Sequence, residues 1–120
     1  MKLVIIESPY RGKNGTTPEV ELSLEYVRAA MLDCLKRGEA PYASHALYTQ
    51  PGVLNDKHSN DRKLGIDAGL AWGLKADLTV VYSDLGVSMG MAYGIEAAKT
   101  AGRPVEWRSL GVEWQKRGLE

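Results

Sequence analysis

Two glycine-bearing segments carry the residue types that chemistry would need. The first, Glu7-Ser8-Pro9-Tyr10-Arg11-Gly12, gathers a carboxylate, a hydroxyl, an aromatic ring and a guanidinium. The second, Ser83-Asp84-Leu85-Gly86-Val87-Ser88-Met89-Gly90, adds another carboxylate and a serine between glycines. An arginine in a glycine-flanked loop suits bidentate capture of phosphate or carboxylate, and Tyr10 suits stacking on a base. Glu7 and Asp84 suit sugar hydroxyls or an acid–base pair. If buried close together, they cannot both stay ionised cheaply. Gly86 and Gly90 let backbone approach a ligand, and Ser88 can open a helix whose free N–H groups attract an anion. Met89 lies between them. After a short apolar run, Ser44 and His45 stand where a third loop would meet the first two.

Other chemistries fit poorly. Gly86-Val87-Ser88-Met89-Gly90 spells the letters of a hydrolase nucleophile elbow, but no histidine follows Ser88 in the chain. The Ser–acid–His order of those enzymes therefore cannot be met. The same segment is neither a dinucleotide fingerprint nor a P-loop. His45 and His58 are not at metal-ligand spacing and no Cys/His cluster accompanies them, so neither a metal nor a cofactor is expected. Cys34, the single cysteine, falls on an apolar helical face and reads as core.

Alternating strands and helices must position these segments. Leu3–Ile6 is a continuous apolar run of the kind buried on both faces of a sheet. The small polar residues 12–17 predict a mobile loop. Pro18-Glu19 then reads as a helix start, with Leu24, Val27, Met31, Cys34 and Leu35 on one face and Gly38 as the stop. A short strand is expected over 41–44 and an irregular excursion over 45–59. A second helix, capped by Asn60 or Asp61, should turn Leu64, Ala68, Ala71 and Trp72 inward. Gly65, Gly69 and Gly73 give that helix a flat flank, whose simplest use is close packing. Leu78–Tyr82 is the third strand, and Ser88 caps a third helix through Met91, Ile95 and Ala98. Val105–Trp107 is a fourth strand, placed at an edge by the Pro104 that leads it. A last short helix spans 110–119, with Val112, Trp114 and Leu119 as its contacts.

Such βαβ units predict an α/β fold: one flavodoxin-like or Rossmann-like domain over 1–120, with a parallel sheet of four to five strands flanked by helices. Ligands of such sheets bind beyond the carboxyl ends of the strands, where strand order reverses. The Glu7 and Asp84 loops should flank that crevice. Lys+Arg and Asp+Glu are both 15 and the formal net charge is zero, which argues against nucleic acid and membrane partners. A lone cysteine and the absence of an apolar leader point to a cytoplasmic protein.

The order of these pieces resembles the nucleoside 2-deoxyribosyltransferase-like superfamily. The resemblance rests on Ile6–Gly12, the helix around Asp67, Ala76-Asp77-Leu78-Thr79-Val80-Val81, Asp84–Gly94 and Gly102-Arg103-Pro104-Val105. The chain is also similar to a group of often phage-encoded proteins that share the Glu-Ser-Pro-Tyr start and a Tyr-Thr-Gln-Pro-Gly loop, here Tyr48–Gly52. The resemblance implies a nucleoside or nucleotide ligand, chemistry at an N-glycosidic bond and a homodimer. It also implies a nucleophilic Glu on the helix after the third strand. Matching Ser88-Met89-Gly90 and Tyr93 to that motif puts Gly94 at the position of the Glu. Glu96 lies two residues on, turned to the opposite side of a helix. Asp67 is similarly displaced, with Gly69 at the matching position. Candidate catalytic residues are therefore Glu7, Asp84 and Glu96; candidate ligand-binding residues are Ser8, Tyr10, Arg11, Gly12, His45, Gly86, Ser88, Met89 and Gly90. The alternatives are a protein that binds and sequesters a nucleotide without reacting with it, and a small scaffold with a vestigial pocket.

Overall fold

The computed structural model describes residues 1–119. Its strands are β1 (Lys2–Glu7), β2 (Glu39–Tyr42), β3 (Leu78–Tyr82) and β4 (Val105–Arg108). They form one all-parallel sheet in the order β2-β1-β3-β4. Its helices are α1 (Thr17–Lys36), α2 (Ser44–Tyr48), α3 (Ser59–Gly73), α4 (Met89–Thr100) and α5 (Val112–Gly118). From β1 the chain steps to one edge, and from β3 to the other, so strand order reverses between β1 and β3. The crevice of such a sheet lies at that point.

Strand alternation divides the core into two layers. Val4, Ile6, Val80 and Tyr82 pack with Tyr26, Val27, Ala30 and Cys34 of α1. On the other face Val81 meets Met91 and Ile95 of α4, with Val105 beside them. Ile5 and Glu7 also point to this second side. A buried ion pair lies within the molecule, where the Arg108 guanidinium grips Glu39 through two bonds of 2.7 Å. Tyr82 Oη accepts from Arg108 and donates to Asp33. Hydrogen bonding to Arg108 outweighs desolvation and holds the Glu39 carboxyl below its ordinary range.

Several sequence expectations shift. The loop before α1 is tied down: the Glu19 carboxylate accepts from the backbone of Asn14 and Thr16 and from the Thr16 hydroxyl. Thr16, two residues before the predicted start, is the N-cap. These bonds hold Glu19 at about 2. Leu35 is exposed, because Ser23, Tyr26 and Ala30 supply the inner stripe instead. β2 begins two residues earlier than predicted, and Ser44 and His45 start the short helix α2. In helix α3 the N-cap position falls on His58, which makes no side-chain capping bond, while Asp61 accepts from Asn55 N–H at 2.9 Å.

The inner face of α3 is also rotated from the expectation. Leu64, Ala71 and Trp72 are exposed, and the glycine flank faces the protein. Space at Gly69 is closed by Ser44 and at Gly73 by Arg103. A side chain on this flank would push α2 and Arg103 away. In α5 only Trp114 packs, edge-on against Tyr26 with ring centroids 5.2 Å apart, while Val112 and Leu119 are exposed. No described helix is long and apolar enough to cross a membrane.

Candidate functional site

A cleft of about 690 Å³ opens at the carboxyl ends of β1 and β3. Its walls are the loop after β1 (Glu7, Ser8, Tyr10, Arg11, Gly12), the start of α2 (Ser44, His45) and the first turn of α4 (Ser88–Met91). It continues into a cavity of about 300 Å³ beneath α3, where Glu7, Tyr93, Gly94 and Arg103 line the walls. The glycine flank of α3 is one side of that cavity.

Glu7 is central to both spaces because it ends β1 with its side chain on the α4 side. Desolvation raises its pKa to about 8, even though the charge of Arg103 pulls the other way. Arg103 is fixed by donating to Thr79 Oγ1 at 2.9 Å and to the Gly73 carbonyl at 2.6 Å. The Glu7 carboxyl lies directly against Gly94: a Cβ at position 94 would come within 2.5 Å of Glu7 Cδ and still nearer an oxygen. The absent side chain at 94 and the carboxyl from β1 thus share one volume.

Beside Glu7, the buried Ser8 hydroxyl and His45 Nε2 are 2.9 Å apart. Desolvation lowers the His45 pKa to about 4, so the ring is neutral at pH 7 and one ring nitrogen remains a donor or acceptor. Tyr10 meets it edge-on, centroids 6.1 Å apart. At the α4 end, Ser88 Oγ accepts from Met91 N–H at 3.2 Å and leaves the amides of Met89 and Gly90 at the open end of the helix.

Glu7, Ser8, Tyr10, Arg11, Gly12, His45, Ser88, Met89 and Gly90 therefore meet in one cleft. Asp84 is not among the residues lining it. It is turned to the other side of the molecule, where it accepts from Tyr26, Ser109 and the backbone N–H groups of Leu110 and Gly111. Burial raises its pKa, but those bonds outweigh burial and hold it low. The carboxylate ties the segment leading into α5 to α1. Glu96 is exposed on the far side of α4, as the helical period requires of a residue two past Gly94. Gly86 forms the preceding turn with φ +94° and is not among the cleft-lining residues.

Arg62, Tyr93, Arg103 and Asp56 line the cleft or its extensions and are not among the candidate site residues read from the sequence. Arg62 and Tyr93 lie on helices, where spacing alone does not reveal a facing loop. Arg103 had a signal in the Gly-Arg-Pro motif. Among the described residues no cluster of three or more His, Cys, Asp or Glu could hold a metal ion.

The fold and the cleft define an all-parallel α/β domain with an open crevice at its topological switch point. The family model described as "Domain of unknown function (DUF7768)" matches residues 2–108, and the chain belongs to that family. A solved structure of a 2-deoxyribosyltransferase from the psychrotolerant bacterium Bacillus psychrosaccharolyticus is similar, with a TM-score of 0.63 and 18% identity. The match covers 89% of this chain and 72% of that one, and at this identity it is a likeness of fold. No curated protein matches the sequence.

Proposed function

We propose that the cleft binds a nucleoside-type ligand and cleaves or exchanges its N-glycosidic bond, with Glu7 as the reacting carboxyl. The observation that carries this reading is the shared volume of Glu7 and Gly94. The resemblance to deoxyribosyltransferases implies a nucleophilic Glu on the helix, at the position that Gly94 takes here. Here a carboxyl fills the same space from the neighbouring strand. The likeness of fold to a 2-deoxyribosyltransferase supports the ligand class.

In the reaction, a Glu7 oxygen attacks the anomeric carbon as the C–N bond breaks. The bonding pair leaves with the base, which takes a proton from solvent. Water or a second base then displaces the carboxylate from the sugar. A desolvated carboxylate is a strong nucleophile once ionised, but at about 8 only about a tenth of the Glu7 population is ionised at pH 7. Neutral His45 and Ser8 are placed to hydrogen-bond sugar hydroxyls, and Tyr93 offers a ring face to the base.

The test is incubation with purine and pyrimidine 2′-deoxynucleosides, with free base followed by chromatography from pH 6 to 9. Free base should form, at a rate rising about tenfold between pH 7 and 9 as Glu7 ionises, and Glu7→Gln should abolish it. A nucleoside that binds and is recovered intact at every pH would reduce the function to binding alone.

A further inference from the structure

Arg11 and Arg62 approach the cleft from different elements, one from the loop after β1 and the other from the first turn of α3. Both line the cleft, and both line a recess of about 480 Å³ that opens from it beside Tyr93. Neither guanidinium has an ion-pair partner among the described residues. Arg37, Arg108 and Arg117 each hold a carboxylate, and Arg103 is fixed by Thr79 and Gly73. Of the other charged groups around the recess, Lys63 is neutralised by Asp67 at 2.7 Å, while Lys57 adds another positive charge. Asp56 is a carboxylate on which both arginines act: burial raises its pKa and the charges of Arg62 and Arg11 oppose that rise.

Two guanidiniums against one carboxylate leave the mouth of the cleft with an excess of positive charge. The arrangement costs self-repulsion when empty and is relieved by a multiply charged anion. Arginine pairs recognise such groups through parallel N–H bonds, and phosphate offers enough acceptor oxygens for two forks. A carboxylate ligand has fewer acceptors and half the charge. The amides of Met89 and Gly90 border the same cleft and can add donors, but the two arginines are the feature that selects a dianion.

We propose that the preferred ligand of this cleft carries a phosphate on its sugar, bound between Arg11 and Arg62, so that nucleoside monophosphates are favoured over the free nucleosides that the cleft also accepts. This rests on the reading of the cleft as a nucleoside site and narrows it.

The experiment is titration calorimetry at low ionic strength with 2′-deoxynucleosides, their 5′-monophosphates and inorganic phosphate. The wild-type protein is compared with Arg11→Ala, Arg62→Ala and Arg62→Lys. A monophosphate should bind at least about tenfold more tightly than its nucleoside. Arg11→Ala and Arg62→Ala should each bring the ratio of monophosphate to nucleoside affinity below about threefold. Arg62→Lys should restore part of it, because charge is kept and the fork is lost. Equal affinities for nucleoside and monophosphate would overturn the phosphate subsite and leave the nucleoside reading standing. Inorganic phosphate bound as tightly as the monophosphate would overturn both, as would failure of nucleoside and monophosphate alike to bind. The wild-type comparison decides even if a variant does not fold.

Discussion

Gly94→Ala separates the function of the Glu7–Gly94 juxtaposition from its contribution to stability. A Cβ at 94 would lie within 2.5 Å of Glu7 Cδ and 2.7 Å of one carboxyl oxygen, so one group must move. The obstructing atoms are the far end of a flexible side chain, which can turn away. Leaving a preferred rotamer costs about 0.5–1.5 kcal/mol, and replacing glycine by alanine inside a helix returns about 0.5–1 kcal/mol. The net change in unfolding free energy should therefore stay within about 1 kcal/mol, measured by urea denaturation. Turnover should fall about a hundredfold or more, since displacing a reacting group by about an ångström has that effect. Exchange of the two residues, Glu7→Gly with Gly94→Glu, should restore part of the activity by returning the carboxyl from the helix. Full turnover by Gly94→Ala would refute the assignment of Glu7. A loss of stability above about 3 kcal/mol would show instead that the Glu7 carboxyl cannot be turned out of its place.

Other consequences concern stability and pH. Glu7 has a raised folded pKa, so the native state holds a proton that the unfolded state has released, and stability falls as pH rises from about 4.5 to about 8. The full effect is up to about 5 kcal/mol. His45 acts oppositely: its folded pKa of about 4 makes stability rise from about pH 4 to 6.5. The two slopes offset each other below pH 6.5, so the wild type should decline mainly between pH 6.5 and 8. Glu7→Gln should remove that decline and His45→Asn should extend it downward, both read from denaturation midpoints; a wild-type profile flat from pH 5 to 8.5 would contradict the burial of Glu7. Asp84→Asn should cost about 1–3 kcal/mol by weakening the bonds to Ser109, Leu110 and Gly111, and should leave turnover within about twofold; loss of turnover in a folded protein would return Asp84 to the chemistry. Arg108→Met should cost about 3–5 kcal/mol, because Glu39 would remain buried and unpaired; Arg108→Met with Glu39→Met should recover most of that loss.

The sheet was legible because its signals are local. Apolar β-branched runs marked β1 and β3, Ser88 marked the start of α4, and Pro104 marked an edge strand. Helix α3 was misread because its inner face carries glycines. An apolar periodicity assigns the large residues inward, whereas this helix turns Leu64 and Trp72 out and approaches α2 and Arg103 through Gly69 and Gly73. What that flank reveals is the space it borders, a cavity that larger inward side chains would have filled. The site was legible for the loop after β1, whose residues were grouped by their spacing alone. It was not legible for Arg62, which reaches the cleft only once α3 folds over it.

The two acids most easily confused in sequence, Glu7 and Asp84, each follow apolar strand residues and enter a loop. Their environments separate them. Asp84 meets five hydrogen-bond donors, so its charge is satisfied and its pKa held low; such a group organises a loop. Glu7 meets glycine, apolar surface and one arginine already committed elsewhere, so its charge is poorly satisfied and its pKa rises. On the proposed function, a carboxyl kept under-solvated at the floor of an open cleft retains its stabilising interactions for the ligand that enters. Spacing could not distinguish the two, because the partners that satisfy Asp84 come from residues 26, 109–111 and 115, which lie far from it in the chain. The distinction depends on where α1 and the segment after β4 pack, and it makes Glu7 the carboxyl to follow in the cleft.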